Sequence, residues 1–128
     1  MIQFIKPYFS KTDGRGTITG IIQETCSDNY WKELNLIVSK HNSIHGNHYH
    51  KETKELFIII NGIIRICAQR INNNSLEEEI EERIVMKNDV FIINPFINHT
   101  FYTISEQASW INVLSKAFQN DIYKIEET

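Results

Sequence analysis

Short runs of Ile, Val, Phe, Tyr and Thr recur along the chain, separated by clusters of Gly, Asn, Asp and Ser. Such runs suit the pleated surface of a sheet, and their spacing is typical of an all-β sandwich or barrel. The predicted strands are Gly16–Gln23, Tyr30–Val38, Asn47–Tyr49, Glu55–Asn61, Ile63–Ile71, Glu81–Met86, Val90–Ile93, His99–Thr103 and Ser109–Leu114. No long amphipathic helical pattern competes with these strands.

Two Asn-containing pairs mark predicted turns. Asn61-Gly62 stands between two strand-like runs and predicts a two-residue hairpin, because a type I′ turn needs positive φ at both positions. Asn88-Asp89 predicts a similar corner. The polar and acidic stretch 72–82 predicts a solvated hairpin excursion, since its acids flank no histidine and lack the two-residue period of ligands on a strand.

The composition indicates one small domain spanning residues 1–128, with a mass of 15.1 kDa. A net charge of −3 with scattered Lys and Arg argues against nucleic acid as a partner. The longest apolar run, Leu56–Ile60, is too short to cross a membrane, and we expect a cytoplasmic protein without a membrane partner. Cys26 and Cys67 lack the C-x-x-C spacing of redox or thiolate metal sites.

Histidine is concentrated in one segment: of the five histidines, four lie between positions 41 and 50. In an extended strand, His48 and His50 share a face and can approach one ion. Glu55 has the wrong parity for the same unbroken strand, so residues 51–54 must contain a turn or bulge. His99 follows the turn-like segment 94–98 and would supply a fourth ligand. Three imidazoles and one carboxylate suit a divalent transition metal, namely zinc, nickel, iron or manganese, with positions open for substrate.

These residues carry a resemblance to the cupin superfamily. Its first motif is a glycine, five residues, His-x-His, three or four residues, a glutamate, six residues and a glycine. Here His48, His50, Glu55 and Gly62 meet that spacing, and Asn42 stands at the leading glycine. Asn tolerates the left-handed conformation better than most residues, so this replacement is compatible with the motif.

The second cupin motif is matched more loosely. Asp89 stands at its first glycine, Pro95 is kept, His99 comes one residue early, and Thr103 replaces its asparagine. The two motifs span about 42–103. The resemblance implies a small jelly-roll barrel, also called a double-stranded β-helix, with a single metal ion inside it.

Two narrower resemblances concern the substrate. The string from His45 to Lys51 and its continuation Lys54-Glu55-Leu56-Phe57 are similar to the metal-bearing cupin domains of bacterial capsular polysaccharide enzymes. His45-Gly46-x-His48-Tyr49 also resembles a segment of deoxysugar 3,5-epimerases, and Phe9–Gly16 resembles their entry segment. His45 replaces the arginine of both families.

The resemblance implies a sugar isomerase or epimerase acting on a keto nucleotide-sugar in surface polysaccharide biosynthesis. The proton-transfer candidates are His45, His41 and Tyr102, with Tyr49 as a further possibility, and no organic cofactor is expected. Two alternatives stay open: an Fe(II)-dependent dioxygenase of small molecules, and a non-catalytic sugar-binding or regulatory module.

Further expectations concern packing and assembly. Tyr49, Phe101 and Tyr102 are candidates for lining a sugar pocket, whereas Trp31 and Trp110 are expected to be core or interface anchors. Small cupins resemble one another in pairing through edge strands, so a homodimer is expected, with Met1–Tyr8 as the candidate for swapping between subunits.

Overall fold

The computed structural model describes residues 1–21, 31–117 and 120–125, and these form antiparallel sheets. The strands are β1 (Ile2–Phe4), β2 (Phe9–Asp13), β3 (Gly16–Gly20), β4 (Glu33–Lys40), β5 (Ile44–His48), β6 (Glu55–Asn61), β7 (Ile63–Asn72), β8 (Ser75–Met86), β9 (Val90–Ile93), β10 (Ile97–Thr103) and β11 (Gln107–Leu114). The predicted all-β class is confirmed.

Two large sheets account for nine of these strands. One is five-stranded, in the order β1-β9-β6-β11-β4, and the other is four-stranded, in the order β5-β10-β7-β8. A separate ribbon pairs β2 with β3. Neighbours in each sheet are often distant in sequence, so the chain crosses repeatedly between the two sheets, as a jelly roll requires.

The main hydrophobic core contains side chains from both large sheets. Alternate residues of β7, namely Ile64, Ile66 and Ala68, are fully buried, as expected for a strand with one face on the core. Phe57, Phe91 and Phe101 join them; the rings of Phe57 and Phe91 stack with their centroids 5.2 Å apart. Trp110 is a core residue, as predicted.

Strand β9 is buried along its whole length because apolar groups cover both of its faces. Phe91 and Ile93 face the main core, whereas Val90 and Ile92 belong to a second cluster with Leu56. Partly buried side chains pack against this second cluster: Ile5, Ile21, Trp31, Ile58 and Val113. Trp31 is therefore the packing anchor that the sequence predicted.

Several predicted strand limits need correction. Strands β1 and β2 were not predicted, because short or wholly exposed strands carry little hydrophobic periodicity. The strand predicted at Asn47–Tyr49 is observed at Ile44–His48, and the one predicted at His99–Thr103 begins at Ile97. Strand β4 continues to Lys40. Strand β3 already ends at Gly20 and β4 begins at Glu33, so both predicted strands are too long within the described residues. Residues 22–30, which include Cys26, lie outside the described residues.

The acidic stretch 75–82 lies in β8, a mostly exposed strand that forms a hairpin with β7, so the predicted solvated hairpin is confirmed. The strand begins at Ser75 and not at Glu81 as predicted. The two-residue hairpin that precedes it is at Asn73-Asn74, where both residues have positive φ and join paired β7 and β8. Such a pair of left-handed residues gives the twist that antiparallel neighbours need. The polar composition of residues 75–80 gave no signal for the extra strand length.

The predicted hairpin at Asn61-Gly62 is wrong. Only Gly62 has positive φ there, and it passes the chain from β6 in one sheet to β7 in the other. A Cβ atom at Gly62 would lie 2.5 Å from Ala108 Cα, which explains the glycine. At the other predicted corner, Asn88 has positive φ and Asp89 Oδ2 accepts a hydrogen bond from the Met86 N–H.

The N-terminal segment pairs within its own chain. Ile2–Phe4 forms an antiparallel edge strand along β9, and Phe4 packs on Phe91. The swap of Met1–Tyr8 between subunits stays a prediction. In the ranges 1–21, 31–117 and 120–125 there is no helix long and apolar enough to span a membrane.

Candidate metal centre

Three strand segments bring the four predicted ligands together. His48 ends β5, His99 is its direct neighbour on β10, and Glu55 begins β6. The potential ligand atoms of these residues and of His50 all lie within 4.8 Å of one another. His50, Glu55 and His99 are buried, and His48 is partly buried. The set of three imidazole nitrogens and one carboxylate fits a divalent transition metal.

The imidazole rings of His50 and His99 are oriented by backbone carbonyls. The Nδ1–H of His50 donates to the carbonyl of Asp121 at 2.5 Å, and that of His99 donates to the carbonyl of Ile97 at 3.0 Å. Each ring therefore directs Nε2 at the carboxylate of Glu55, with Nε2–Oε1 distances of 2.5 and 3.2 Å. A carbonyl on the far nitrogen is the usual outer contact of a metal-binding histidine.

The electrostatics of Glu55 and His48 favour the protonation states that a metal needs. For His50, in contrast, burial lowers the pKa but the interactions with Glu55 and Asp121 together raise it more. Burial raises the pKa of Glu55, but the hydrogen bonds with His50 and His99 outweigh it, and the net shift is downward. Burial and the neighbouring His99 lower the pKa of His48 to about 4, so its ring is neutral near pH 7. An ionised carboxylate and a neutral imidazole are the metal-binding forms of these groups.

Asn112 supports the carboxylate from strand β11. Its Nδ2 donates to Oε2 of Glu55 at 3.1 Å, while Oε1 faces His50 and His99. The carboxylate thus has one oxygen held by the amide and one directed at the imidazoles. Sequence reasoning missed Asn112, because nothing in its local pattern distinguishes it from a polar residue on any half-buried strand.

Asp121 is a second missed residue, and it organises the turn between His50 and Glu55. Its carboxylate accepts backbone N–H groups of all three residues 51–53, at 2.8 to 2.9 Å, and the Thr53 hydroxyl at 2.7 Å. The turn that these bonds hold is the break in the strand that allows His50 and Glu55, five residues apart, to face the same side. The sequence offered no signal for Asp121, which lies 71 residues from His50.

A bulge in β5 brings a further histidine to the same side as His48. Gly46 pairs with Thr100 and His48 with His99, so Asn47 is the extra residue. Gly46 and Asn47 both have positive φ, at 87° and 57°. In an unbroken strand, residues three apart face opposite sides; the bulge corrects this, so that His45 and His48 line one cavity.

The cavity beside the four ligands has a volume of about 190 Å³. Its other walls are largely apolar and aromatic: Ile37, Phe57, Phe101, Trp110 and Leu114, with His45, Gly46 and Asn112. A mostly apolar cleft with a few converging polar groups is typical of a small-molecule site. Phe101 is the only one of the three predicted aromatic wall residues that the structure places in this lining.

His45 is held at the cavity wall by a buried hydroxyl pair. Its Nε2 lies 2.8 Å from Ser39 Oγ, which in turn lies 2.6 Å from Thr103 Oγ1. The ring also meets Trp110 edge-on, at 5.2 Å between centroids. Because Ser39 occupies Nε2, Nδ1 is the other ring nitrogen that can accept or donate a proton.

The remaining predicted proton-transfer residues lie elsewhere. His41 is exposed, and its Nδ1–H donates to the Ser105 carbonyl at 3.2 Å. Tyr102 is covered by the Arg65 guanidinium, 4.1 Å from its ring centroid. Tyr49 is buried against Tyr123. Neither His41 nor the two tyrosines belong to the cavity lining, so the structure groups His45 alone with the metal ligands.

A model of the family described as "Polysaccharide biosynthesis C-terminal domain" matches residues 11–128. The chain belongs to this family. No curated protein sequence matches the chain significantly. Its fold resembles solved structures of cupin-like nucleotide-sugar enzymes, so the predicted cupin fold is confirmed.

Three solved structures illustrate the likeness. A variant of the 3,4-ketoisomerase QdtA from Thermoanaerobacterium thermosaccharolyticum, in complex with TDP-4-keto-6-deoxyglucose, superposes with a TM-score of 0.77 at 16% identity, over 96% of this chain and 86% of that one. The dTDP-4-dehydrorhamnose 3,5-epimerase from Elizabethkingia anophelis NUHP1 gives 0.73 at 16% identity, over 93% and 71%.

The third structure is the capsular polysaccharide assembling protein CapF from Staphylococcus aureus. It superposes with a TM-score of 0.68 at 25% identity, over 95% of this chain but only 33% of that one. This chain therefore corresponds to about a third of CapF.

Proposed function

We propose that this protein is a metal-dependent isomerase or epimerase that moves a proton on the keto sugar of a nucleotide-sugar, in the biosynthesis of a surface polysaccharide. The observation that carries the proposal is the shared cavity, in which His45 and the cluster of His48, His50, Glu55 and His99 line one apolar pocket. The family description and the names of two superposed structures, a ketoisomerase and an epimerase, support the reaction class.

The metal ligands and the base have separate tasks in this proposal. His48, His50, Glu55 and His99 would hold a divalent ion, which would supply a Lewis acid to polarise a carbonyl oxygen. His45 removes the proton from the carbon next to the carbonyl through Nδ1. The C–H electron pair then forms a carbon–carbon double bond as the carbonyl π pair moves onto the oxygen. Protonation of the same carbon from the opposite face, as the enolate reverts to the carbonyl, gives epimerisation. Protonation of the former carbonyl carbon, while the hydroxyl on the deprotonated carbon loses its proton and becomes the new carbonyl, gives isomerisation.

The surroundings of His45 suit a proton-transfer residue. Ser39 fixes the ring through Nε2 and Trp110 supports it edge-on, so little orientational freedom is left to lose when substrate binds. The walls formed by Phe57, Phe101 and Trp110 limit water beside a carbanion-like intermediate.

The test is incubation of the metal-loaded protein with TDP-4-keto-6-deoxyglucose and related UDP-keto sugars in deuterated water, followed by NMR. We expect deuterium at a carbon adjacent to the carbonyl. His45→Asn should slow exchange by about 10² to 10⁴ with unchanged metal content, the usual loss for one general acid or base. His41→Asn is the matched control, because that histidine lies outside the cavity.

Two other outcomes identify the alternatives. Three histidines and one glutamate also suit an Fe(II) oxygenase, so oxygen consumption by the iron form without deuterium incorporation would establish that class instead. Binding of a nucleotide-sugar without exchange or oxygen consumption would indicate a non-catalytic binding module.

A further inference from the structure

The C-terminal segment 120–125 lies along the strand end that carries the metal ligands. Tyr49 and Tyr123 exchange two backbone hydrogen bonds, of 2.9 and 3.0 Å, and their rings pack with centroids 5.6 Å apart. The ammonium group of Lys51 lies 4.2 Å from the Tyr123 ring centroid. These contacts hold Asp121 next to His50 and the turn that follows it.

Asp121 contacts this turn and His50 through different atoms. Its side chain accepts four hydrogen bonds, three from backbone N–H groups of 51–53 and one from the Thr53 hydroxyl. Its backbone carbonyl accepts the Nδ1–H of His50. Asp121 thereby accepts hydrogen bonds from backbone N–H groups of a short irregular segment that lies outside the sheets.

The position of this turn matters because a metal ligand stands at each end of it. His50 precedes residues 51–54 and Glu55 follows them, and the two side chains meet at 2.5 Å. Residues 51–54 contain no regular strand or helix, so their own backbone does not determine the distance between these ligands. The carboxylate of Asp121 holds residues 51–53 from outside the turn, and Ser115 holds Lys54 through two further hydrogen bonds.

We propose that Asp121 is a positioning residue of the metal centre: its carbonyl fixes the ring of His50, and its carboxylate fixes the turn that sets His50 against Glu55. This role rests on the metal site of the proposed function. It predicts that removal of the carboxylate reduces metal affinity, beyond any loss of folding stability. Outer contacts of this kind typically change metal affinity by about 10- to 100-fold.

The experiment compares full-length Asp121→Ala, Asp121→Asn and Asp89→Ala with the wild type. Asp89→Ala is the matched control, because it removes a carboxylate that accepts a backbone N–H at the β8–β9 turn, away from the cavity. The affinity for Co²⁺ and Zn²⁺ is measured by competition with a chelator, together with the visible spectrum of the Co²⁺ form. Thermal unfolding of the metal-free proteins gives the stability change separately, and ¹⁵N NMR of the imidazoles reports the tautomer of His50.

We expect Asp121→Ala to weaken metal binding by about 10- to 100-fold and to alter the Co²⁺ spectrum. Asp121→Asn keeps one acceptor oxygen, so its metal affinity should lie between those of Asp121→Ala and the wild type. It also provides the test if Asp121→Ala does not fold. Asp89→Ala should bind metal normally.

Two results would overturn the inference in distinguishable ways. Unchanged affinity and an unchanged spectrum for both Asp121 variants, with only a lower unfolding temperature, would reduce Asp121 to an anchor of the C-terminal segment. Absence of metal binding by the wild type would refute the metal centre itself and this role with it, even if NMR showed the His50 tautomer responding to Asp121.

Discussion

Substitution of Gly46 by alanine should damage both the fold and the candidate site, because this glycine forms the bulge in β5. Its φ is 87°, and an added Cβ would lie 2.7 Å from the backbone carbonyl oxygen of His99. That distance is well inside van der Waals contact, and the opposing atom belongs to a paired strand. Relief of the overlap therefore requires β5 and β10 to move apart.

The expected cost follows from three effects. A left-handed backbone costs a non-glycine residue about 1–2 kcal/mol. Overpacking against a neighbour that yields only partly adds about 1–3 kcal/mol. Alanine also stabilises the folded protein by about 0.4–1 kcal/mol, because it reduces the conformational entropy of the unfolded chain relative to glycine. Together these effects give about 1–5 kcal/mol, and we expect Gly46→Ala to lower the free energy of unfolding by about 3 kcal/mol, the middle of that range.

Urea unfolding of the metal-free protein measures this loss, and Gly14→Ala is the matched control. A Cβ at Gly14 meets nothing within 4 Å, so its change should stay within about 0.5 kcal/mol. Metal affinity of Gly46→Ala should also fall, since the displaced atom belongs to the backbone of the ligand His99. A Gly46 variant as stable as the Gly14 variant, with normal metal affinity, would refute the role assigned to the bulge.

Three other predictions address the metal, the pH dependence and the assembly. Purified protein should carry about one transition metal per chain, and His48→Ala with His50→Ala should abolish it; elemental analysis without metal after reconstitution would favour a metal-free epimerase with His48 as base. Burial raises the pKa of Glu81, but hydrogen bonds from the Ile2 N–H and Arg83 lower it more. The ionised carboxylate therefore stabilises the folded protein above its ordinary pKa of 4.5, and this stabilisation is lost as the pH falls through the lowered pKa. Glu81→Gln should therefore cost about 1 kcal/mol at pH 7 in urea unfolding, and an equal difference at pH 3 would contradict this assignment. Light scattering should report a homodimer at micromolar concentration, because β4 is an edge strand with exposed Leu34, Leu36 and Val38; a monomer would be the contrary result.

The all-β class and most strand positions could be predicted from the sequence, because burial on one face imposes a period of two along each strand. Ile64, Ile66 and Ala68 illustrate this pattern. The spacing of His48, His50 and Glu55 was also informative, since two ligands on one strand need the same period. Such features depend on residues that are close together in the sequence, so they can be predicted from it.

Other features depended on contacts between residues far apart in the chain. Asn61-Gly62 has the composition of a hairpin turn, yet the strands before and after it belong to different sheets. The packing of the whole core determines which strands they pair with. The bulge at Gly46 and Asn47 turns His45 toward the predicted ligands, whereas Tyr102, another candidate from the sequence, faces Arg65.

Asn112 and Asp121 show the same limit at the site itself. Each contacts a predicted metal ligand more than 50 residues away, at 57 positions from Glu55 and 71 from His50. The sequence determined which side chains could hold a metal, because that depends on residue type and local period. Only the tertiary structure decided which groups orient them, because a hydrogen bond depends on positions that the rest of the fold brings together.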